Sequence, residues 1–183
     1  ARQALAALEI EWRPPAGGTL DSAAILDHLE ARARSAAEHD DGFGFHTRGD
    51  GAKALAQSAQ QVEAVYRAPY LAHATMEPMN CTAQVHADGS VEVWAPTQVP
   101  GPARDAAARV AGVDPERVTL HVTYLGGGFG RRLEVDVVAQ AVRVALETNN
   151  RPVQLVWPRE EDFGHDFYRP AGAALLRGGL DAN

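Results

Sequence analysis

The sequence predicts an α+β fold, a mixed β-sheet with helices packed on one face. Three observations predict it. From residue 61 onward, extended and helical patterns follow one another in the order β-β-β-α-β-α-β-β. An Asp88-Gly89 pair sits between two apolar, strand-like runs and signals a hairpin. A strongly amphipathic stretch from about Leu133 to Thr148 follows a strand-like run, Arg117 to Tyr124, across a glycine-rich loop. With 183 residues, 45% of them hydrophobic and 22% charged, the chain can bury one sizeable core or two small ones.

Residues 1–60 read as a helical N-terminal extension with a connecting loop, and 61–183 as the principal domain. In the extension, Ser22 to about Glu38 predicts a helix, with Asp21 or Ser22 as cap and Ile25, Leu26, Leu29 and Ala33 on one apolar face. Asp40 to Asp50 carries Gly42, Gly44 and Gly49 and reads as a loop, with Phe43 and Phe45 packing beneath it. Val62 to Tyr66 is a strand. Thr82 to His86 and Val91 to Trp94 flank the turn Ala87-Asp88-Gly89-Ser90. Pro102 to Ala111 reads as a helix closed by Gly112, and Asp114-Pro115 as the start of a short turn capped by the aspartate. Val118, Leu120, Val122 and Tyr124 alternate as a strand. Leu133, Val137, Ala141, Val144 and Ala145 recur at helical spacing until Asn149-Asn150 ends the helix. Val153 to Trp157 and Ala173 to Leu180 supply the last two strands. Both chain ends have the look of a piece cut from a longer protein, since Ala1-Arg2-Gln3 lacks an initiator methionine and Asp181-Ala182-Asn183 stops where a turn should begin.

Composition excludes several classes of function. A net charge of -7 argues against a duplex-binding surface, so nucleic acid is not an expected partner, although Arg131 and Arg132 could form a local basic spot. The single cysteine, Cys81, cannot make an internal disulfide or ligate an iron–sulfur cluster, and it reads as a small buried residue. No apolar run approaches the ~18 residues needed to cross a membrane.

Four stretches could carry chemistry. Gly126-Gly127-Gly128-Phe129-Gly130-Arg131-Arg132 at a strand-to-helix junction describes a loop whose backbone can approach an anionic ligand, with exposed N–H groups and a helix start favouring negative charge. A large phosphorylated cofactor is the expected guest. The loop has no Gly-Lys-Ser/Thr ending, and Arg131 stands where a dinucleotide fingerprint needs its third glycine. Tyr70 to Cys81 holds His73, Met76, Glu77, Pro78 and Asn80; His73 and Glu77, four apart, could pair on a helical turn, and no metal site is expected. Trp94-Ala95-Pro96-Thr97-Gln98 ends in a neutral amide suited to an oxo or carbonyl group. Trp157 to Pro170 gathers Arg159, Glu160, Glu161, Asp162, His165, Asp166 and Arg169, and reads as a solvated charged segment in which Arg169 meets a carboxylate of protein or substrate. No Gly-x-Ser-x-Gly elbow is present.

In this order, Arg48-Gly49-Asp50, Tyr66-x-x-Pro69, His73-Ala74-Thr75-Met76-Glu77-Pro78, Trp94 to Gln98, Gly126 to Arg132, Arg159-Glu160-Glu161-Asp162 and Tyr168-Arg169-Pro170 resemble the molybdenum-cofactor-binding large subunit of the xanthine dehydrogenase and aldehyde oxidase family. The nearest branch is that of bacterial isoquinoline 1-oxidoreductase β subunits. The resemblance implies the molybdopterin-binding fold of molybdenum hydroxylases. It also implies molybdopterin, in its cytosine dinucleotide form, carrying molybdenum, and oxidation of a small aromatic N-heterocycle or an aldehyde with oxygen from water. Iron–sulfur clusters would reside on a small partner subunit, and the remainder of the large subunit would complete the cradle. By the same resemblance Gln98 faces the oxo ligand, Gly127, Gly128, Phe129 and Gly130 lie against the metal and pterin with Arg131 and Arg132, Phe129 walls the pocket, and Arg169 faces substrate. Purine oxidation is not implied, because Arg131-Arg132-Leu133 replaces the Gly-Lys-Glu of the xanthine branch. The family's catalytic glutamate belongs to a Gly-Glu motif outside these residues, so the isolated chain is expected to be inactive. The branch points to twin-arginine export and the periplasm rather than the cytoplasm. The competing reading is a non-catalytic scaffold domain that kept the fold and lost the metal.

Overall fold

The computed structural model describes residues 7–9, 11, 13, 21–39 and 42–182. The readings made at Ala1-Arg2-Gln3, at Asp40 and at Asn183 lie outside them. Backbone contacts divide the chain into two units, Ala1–Tyr70 with Pro170–Asn183, and Leu71–Arg169. The first of these units carries two strands, Gln60–Ala68 and Gly172–Leu180, that the division at residue 60 assigns to the later domain.

In the first unit, helix α1 (Ser22–His39) runs as its apolar spacing predicts, and Ile25, Leu26, Leu29 and Ala33 are half-buried. A second helix, α2 (Gly51–Gln57), follows the loop; Asp50 caps it, its side chain accepting from the Lys53 N–H at 2.9 Å. Strands β1 (Gln60–Ala68) and β6 (Gly172–Leu180) form an antiparallel ribbon in a register running from Gln60↔Leu180 to Ala68↔Gly172. Helix α1 packs on β6 and is tied to β1 by ion pairs from Arg67 to Asp27 (2.7 Å) and Glu30 (2.5 Å), and from Arg34 to Glu63 (2.7 Å). Phe43 and Phe45 are exposed, which corrects the expectation that they pack under the loop.

The second unit holds a four-stranded sheet in the order β4-β3-β2-β5, with β2 (Asn80–Val85), β3 (Val91–Ala95), β4 (Val118–Val122) and β5 (Val153–Val156). The sheet is mixed: β3 and β4 are parallel, the other pairs antiparallel. The fold class is as expected, but β1 and β6 stand apart as their own ribbon. The β2–β3 hairpin turns where Asp88-Gly89 predicts, with Gly89 at φ +83° and the Asp88 carboxylate accepting from the Ser90 N–H at 2.9 Å. A parallel pair needs a crossover, which α3 (Pro100–Ala111) provides before Gly112, at φ +71°, stops it. Asp114 makes no side-chain cap to the short turn at Pro115–Arg117. Helix α4 (Asp136–Ala145) begins three residues later than Leu133, because Arg131–Leu133 form a separate 3₁₀ turn. A last helix, α5 (Arg159–Gly164), occupies part of the charged segment.

The core lies on one face of this sheet. Alternation along β2 and β3 turns Cys81, Ala83, Val91, Val93 and Ala95 inward, and they meet Val137, Val138, Ala141, Val142 and Ala145 of α4. Helix α3 presents Ala103, Ala106, Ala107 and Ala108, small enough to pack close to α4 and β4. Cys81 is fully buried, and burial pushes its thiol up to about 12, consistent with a structural residue.

Candidate functional site

Strand direction explains why the four chemical stretches meet. Gln98 follows the C-terminal end of β3, and the glycine loop follows the C-terminal end of its parallel neighbour β4, with Ala95 and Val122 in register. Strand β2 is antiparallel to β3, so the residues that lead into Asn80, from His73 to Met79, come to the same edge. Strand β5 is antiparallel to β2, with Asn80 opposite Val156, so the chain leaves β5 toward Trp157 and Arg169 there as well. Ligands of sheets with parallel strands favour this edge, outside the carboxyl ends.

The loop is held from below by its two arginines. Both are 1% exposed, which corrects the expected basic spot: neither guanidinium faces solvent. Arg132 donates to the carbonyls of Gly127 (2.8 Å), Pro96 (3.2 Å) and Glu77 (2.9 Å) and to the Glu77 carboxylate (2.8 Å). Burial lowers its pKa from the ordinary arginine range. Arg131 donates to Asp136 at 2.8 and 3.2 Å, and its guanidinium is 5.4 and 5.6 Å from the ring centroids of Trp157 and Phe167. Glu77 also accepts from the Gly126 N–H at 2.9 Å, while its own N–H donates to the Gly126 carbonyl at 3.0 Å. Glu77 therefore pairs with the loop and not with His73, and the helical turn expected of those two residues does not form. Nor does an α-helix begin at the loop: the 3₁₀ turn Arg131–Leu133 follows Gly130, and α4 starts six residues after that glycine.

With the arginines turned inward, the upper surface of the loop is backbone. The N–H groups of Gly127, Gly128 and Phe129 donate to no acceptor among the described residues, whereas the Gly130 N–H donates to Gln98 Oε1 at 3.1 Å. That bond sets the carboxamide: its oxygen is held by the loop, and its two N–H groups have no partner among the described residues. Gly127 and Gly130 lie at φ +102° and +104°, and Phe129 itself at +54°, left-handed backbone of the kind that anion-binding nests use. Space is equally specific. A β-carbon on Gly128 would stand 2.6 Å from Gln98 Oε1. Phe129, Tyr124, Leu125 and Met76 are exposed apolar side chains on the loop or on the segment against it.

Of the residues expected at the site, the structure brings together Gln98, Gly127, Gly128, Phe129, Gly130 and Arg169. Arg169 donates to the Phe129 carbonyl at 3.1 Å and has no ion pair among the described residues, so of the two carboxylates expected for it, protein or substrate, no protein one is found among them. Arg131 and Arg132 are present as supports beneath the loop, not as groups facing a ligand. The charged segment is only partly solvated: Asp162 is buried, accepts from Arg159 at 2.7 Å, and is pushed up from the usual carboxylate range by burial even against Arg159. Sequence reasoning gave no role to Asp166, whose carboxylate grips His73 at both the ring Nδ1 (2.8 Å) and the main-chain N–H (2.5 Å). Ninety-three residues separate the two, and no local pattern signals such a pair.

Free loop amides beside an oriented, uncharged carboxamide suit a large anionic group bearing oxo or phosphate oxygens, and the glycines leave room for it to approach. Comparisons with known proteins agree with this chemistry. Residues 36–183 match the family model described as molybdopterin cofactor-binding domain. The chain is 37% identical over 116 residues to isoquinoline 1-oxidoreductase subunit beta of Brevundimonas diminuta, covering 63% of this chain and 14% of that protein. It is 30% identical over 133 residues to the aldehyde oxidoreductase molybdenum-binding subunit of Escherichia coli, covering 73% of this chain and 18% of that one. The fold is similar to that of quinoline 2-oxidoreductase from Pseudomonas putida 86, with a TM-score of 0.58 and 21% identity over 74% of this chain and 17% of that one. The chain thus spans less than a fifth of the length of these relatives. It belongs to the molybdopterin cofactor-binding domain family.

Proposed function

We propose that this chain works within a longer molybdenum hydroxylase subunit that oxidises a small N-heterocycle or an aldehyde with oxygen drawn from water. The observation that carries this reading is the meeting of the free Gly127, Gly128 and Phe129 amides with the Gln98 carboxamide, its oxygen fixed by Gly130. When bound, the molybdenum–pterin group supplies the two-electron redox chemistry. This chain binds and orients. The loop amides offer hydrogen bonds to the group's oxygens, and the Gln98 N–H groups donate to an oxo oxygen without adding charge or reorganising during turnover. Phe129 shields that oxygen from water. In this reading Arg169, which donates to the Phe129 carbonyl, meets the substrate. The cytosine dinucleotide form of the cofactor, a small iron–sulfur partner subunit and a periplasmic location accompany this reading by resemblance. The isolated 183 residues are inactive in it, because the catalytic base lies in another part of the subunit.

The test is metal analysis of the complete subunit, expressed with its partner in a host that makes the cofactor, together with Gln98→Ala. Stoichiometric molybdenum and a loss of turnover of roughly 10²- to 10³-fold in Gln98→Ala, typical of a deleted transition-state donor, support the proposal. A protein that folds but carries no molybdenum identifies a scaffold domain, and unchanged turnover in Gln98→Ala removes the role given to that residue.

A further inference from the structure

One side chain at the loop is oriented more firmly than packing requires and has an unused polar atom. The His73 ring is 11% exposed, and its Nδ1 is 2.8 Å from an Asp166 oxygen that is itself buried, at 2% side-chain exposure. The other Asp166 oxygen accepts from the His73 main-chain N–H at 2.5 Å, so one carboxylate fixes both the backbone and the ring. Arg131 Nε, at 3.5 Å, flanks the same Asp166 oxygen and backs the pair from the interior. Nε2 faces the opposite way. It has no partner among the described residues, and a β-carbon built on Gly130 would lie 3.2 Å from it. Gly130 is also the residue whose N–H fixes Gln98. His73 and Gln98 therefore flank one glycine of the loop, each secured at one end and each with a polar atom left over.

We propose that His73 is a ligand-contacting residue of this site: with Asp166 accepting from Nδ1–H, the Nε2 lone pair accepts a hydrogen bond from an N–H or O–H of the group lying on Gly130. This rests on the cofactor-site reading above and adds a residue to it. The donor belongs to the pterin group, which carries such hydrogens, or to a substrate that itself bears an N–H or O–H. A histidine that merely filled space would need Nδ1 and its carboxylate but not Nε2.

Two amide substitutions separate these roles. In His73→Asn the amide falls near the position of Nδ1, so the Asp166 bond is kept and the loop-facing atom is lost. In His73→Gln the amide reaches the position of Nε2, so a polar atom faces the loop and the Asp166 bond is lost. Each variant is made in the complete subunit with its partner, and melting temperature, molybdenum and pterin content, KM and kcat are measured. The expected result is a wild-type melting temperature for His73→Asn with a loss of about tenfold or more, the size usual for removing an oriented contact at a metal site, while His73→Gln recovers most of it. A loss of molybdenum and pterin identifies the cofactor as the donor; a raised KM at full metal content identifies the substrate. Wild-type cofactor content and KM in His73→Asn, or a defect confined to His73→Gln, overturns the proposal. If His73→Asn does not fold, His73→Gln decides: values within about fivefold of wild type support it, and a loss beyond tenfold overturns it. Absence of molybdenum from the wild-type protein overturns it together with the cofactor-site reading, whereas a loaded wild type and a loaded, unaffected His73→Asn overturn this inference alone.

Discussion

At Gly128 a single missing methyl group decides where an amide points. A β-carbon there would stand 2.6 Å from Gln98 Oε1 and 2.8 Å from its Cδ, closer than real contacts allow, so alanine must displace the carboxamide from the Gly130 N–H. Displacement of about 1 Å at a reacting group is enough to lower turnover roughly 10²-fold. Gly128→Ala in the loaded subunit is therefore expected to lose about that much kcat, with a stability loss of only ~1–3 kcal/mol from overpacking at a partly open site. Gly101→Ala is the matched control, because its β-carbon meets nothing within 4 Å. Steady-state kinetics and melting curves on the two variants check this, and an active Gly128→Ala with Gln98 undisturbed contradicts it. The sequence made the glycines and Gln98 legible as candidates, since small residues and a neutral amide advertise close approach and uncharged donation. It could not reveal that Gly130 holds the amide oxygen, because that bond joins residues 32 apart through a shared strand edge.

Elements were legible where their signal is local. Asp88-Gly89, the α1 spacing and the Gly112 stop all depend on neighbours within a few residues, and each element stands where its pattern puts it. Helix α4 was drawn too early because Leu133 falls in step with Val137 and Ala141; the buried Arg131 and Arg132 side chains instead fold residues 131–133 into a 3₁₀ turn, with Asp136 at the true helix start. Helices α2 and α5, of seven and six residues, are too short for a periodic pattern to emerge. The sequence pattern marks α3 only as a helix; the four buried alanines among its residues serve as spacers, as Ala107 is fully buried in the helix that packs on α4 and β4. Ala107→Leu is expected to destabilise the second unit by roughly 1–3 kcal/mol, because a close-packed interface takes three extra carbons only by moving a helix. Denaturant unfolding followed by Trp157 fluorescence measures it, since Trp157 is buried in the same core.

For the molecule as a whole, the long-range partnerships were the least legible. Pairing Gln60 with Leu180 or Arg34 with Glu63 requires knowing the fold, not the neighbourhood. Those partnerships nonetheless have a consequence that a titration can read. In the first unit, the Arg67 and Arg34 hydrogen bonds hold the Glu30 carboxyl below its ordinary value of 4.5, and those of Arg34 and Arg177 do the same for Glu63. A carboxyl whose pKa is lower in the folded state binds fewer protons there than when unfolded, so its stabilising contribution is complete above the unfolded value and disappears as pH falls through the folded one. Asp162 in the second unit acts with opposite sign: burial raises its pKa above 3.8, and stability declines as pH rises across that interval. The melting midpoint of the first unit is therefore expected to fall as pH drops below about 4.5, while Asp162 partly offsets the fall in the second. Glu30→Gln with Glu63→Gln, followed between pH 7 and pH 3, should start lower at neutral pH and show a flatter acid limb, the curves of variant and wild type converging in acid. Salt should narrow the neutral gap, because these pairs are solvent-facing and screened. An acid limb of unchanged steepness in the double variant would mean that other carboxylates anchor α1 to the ribbon.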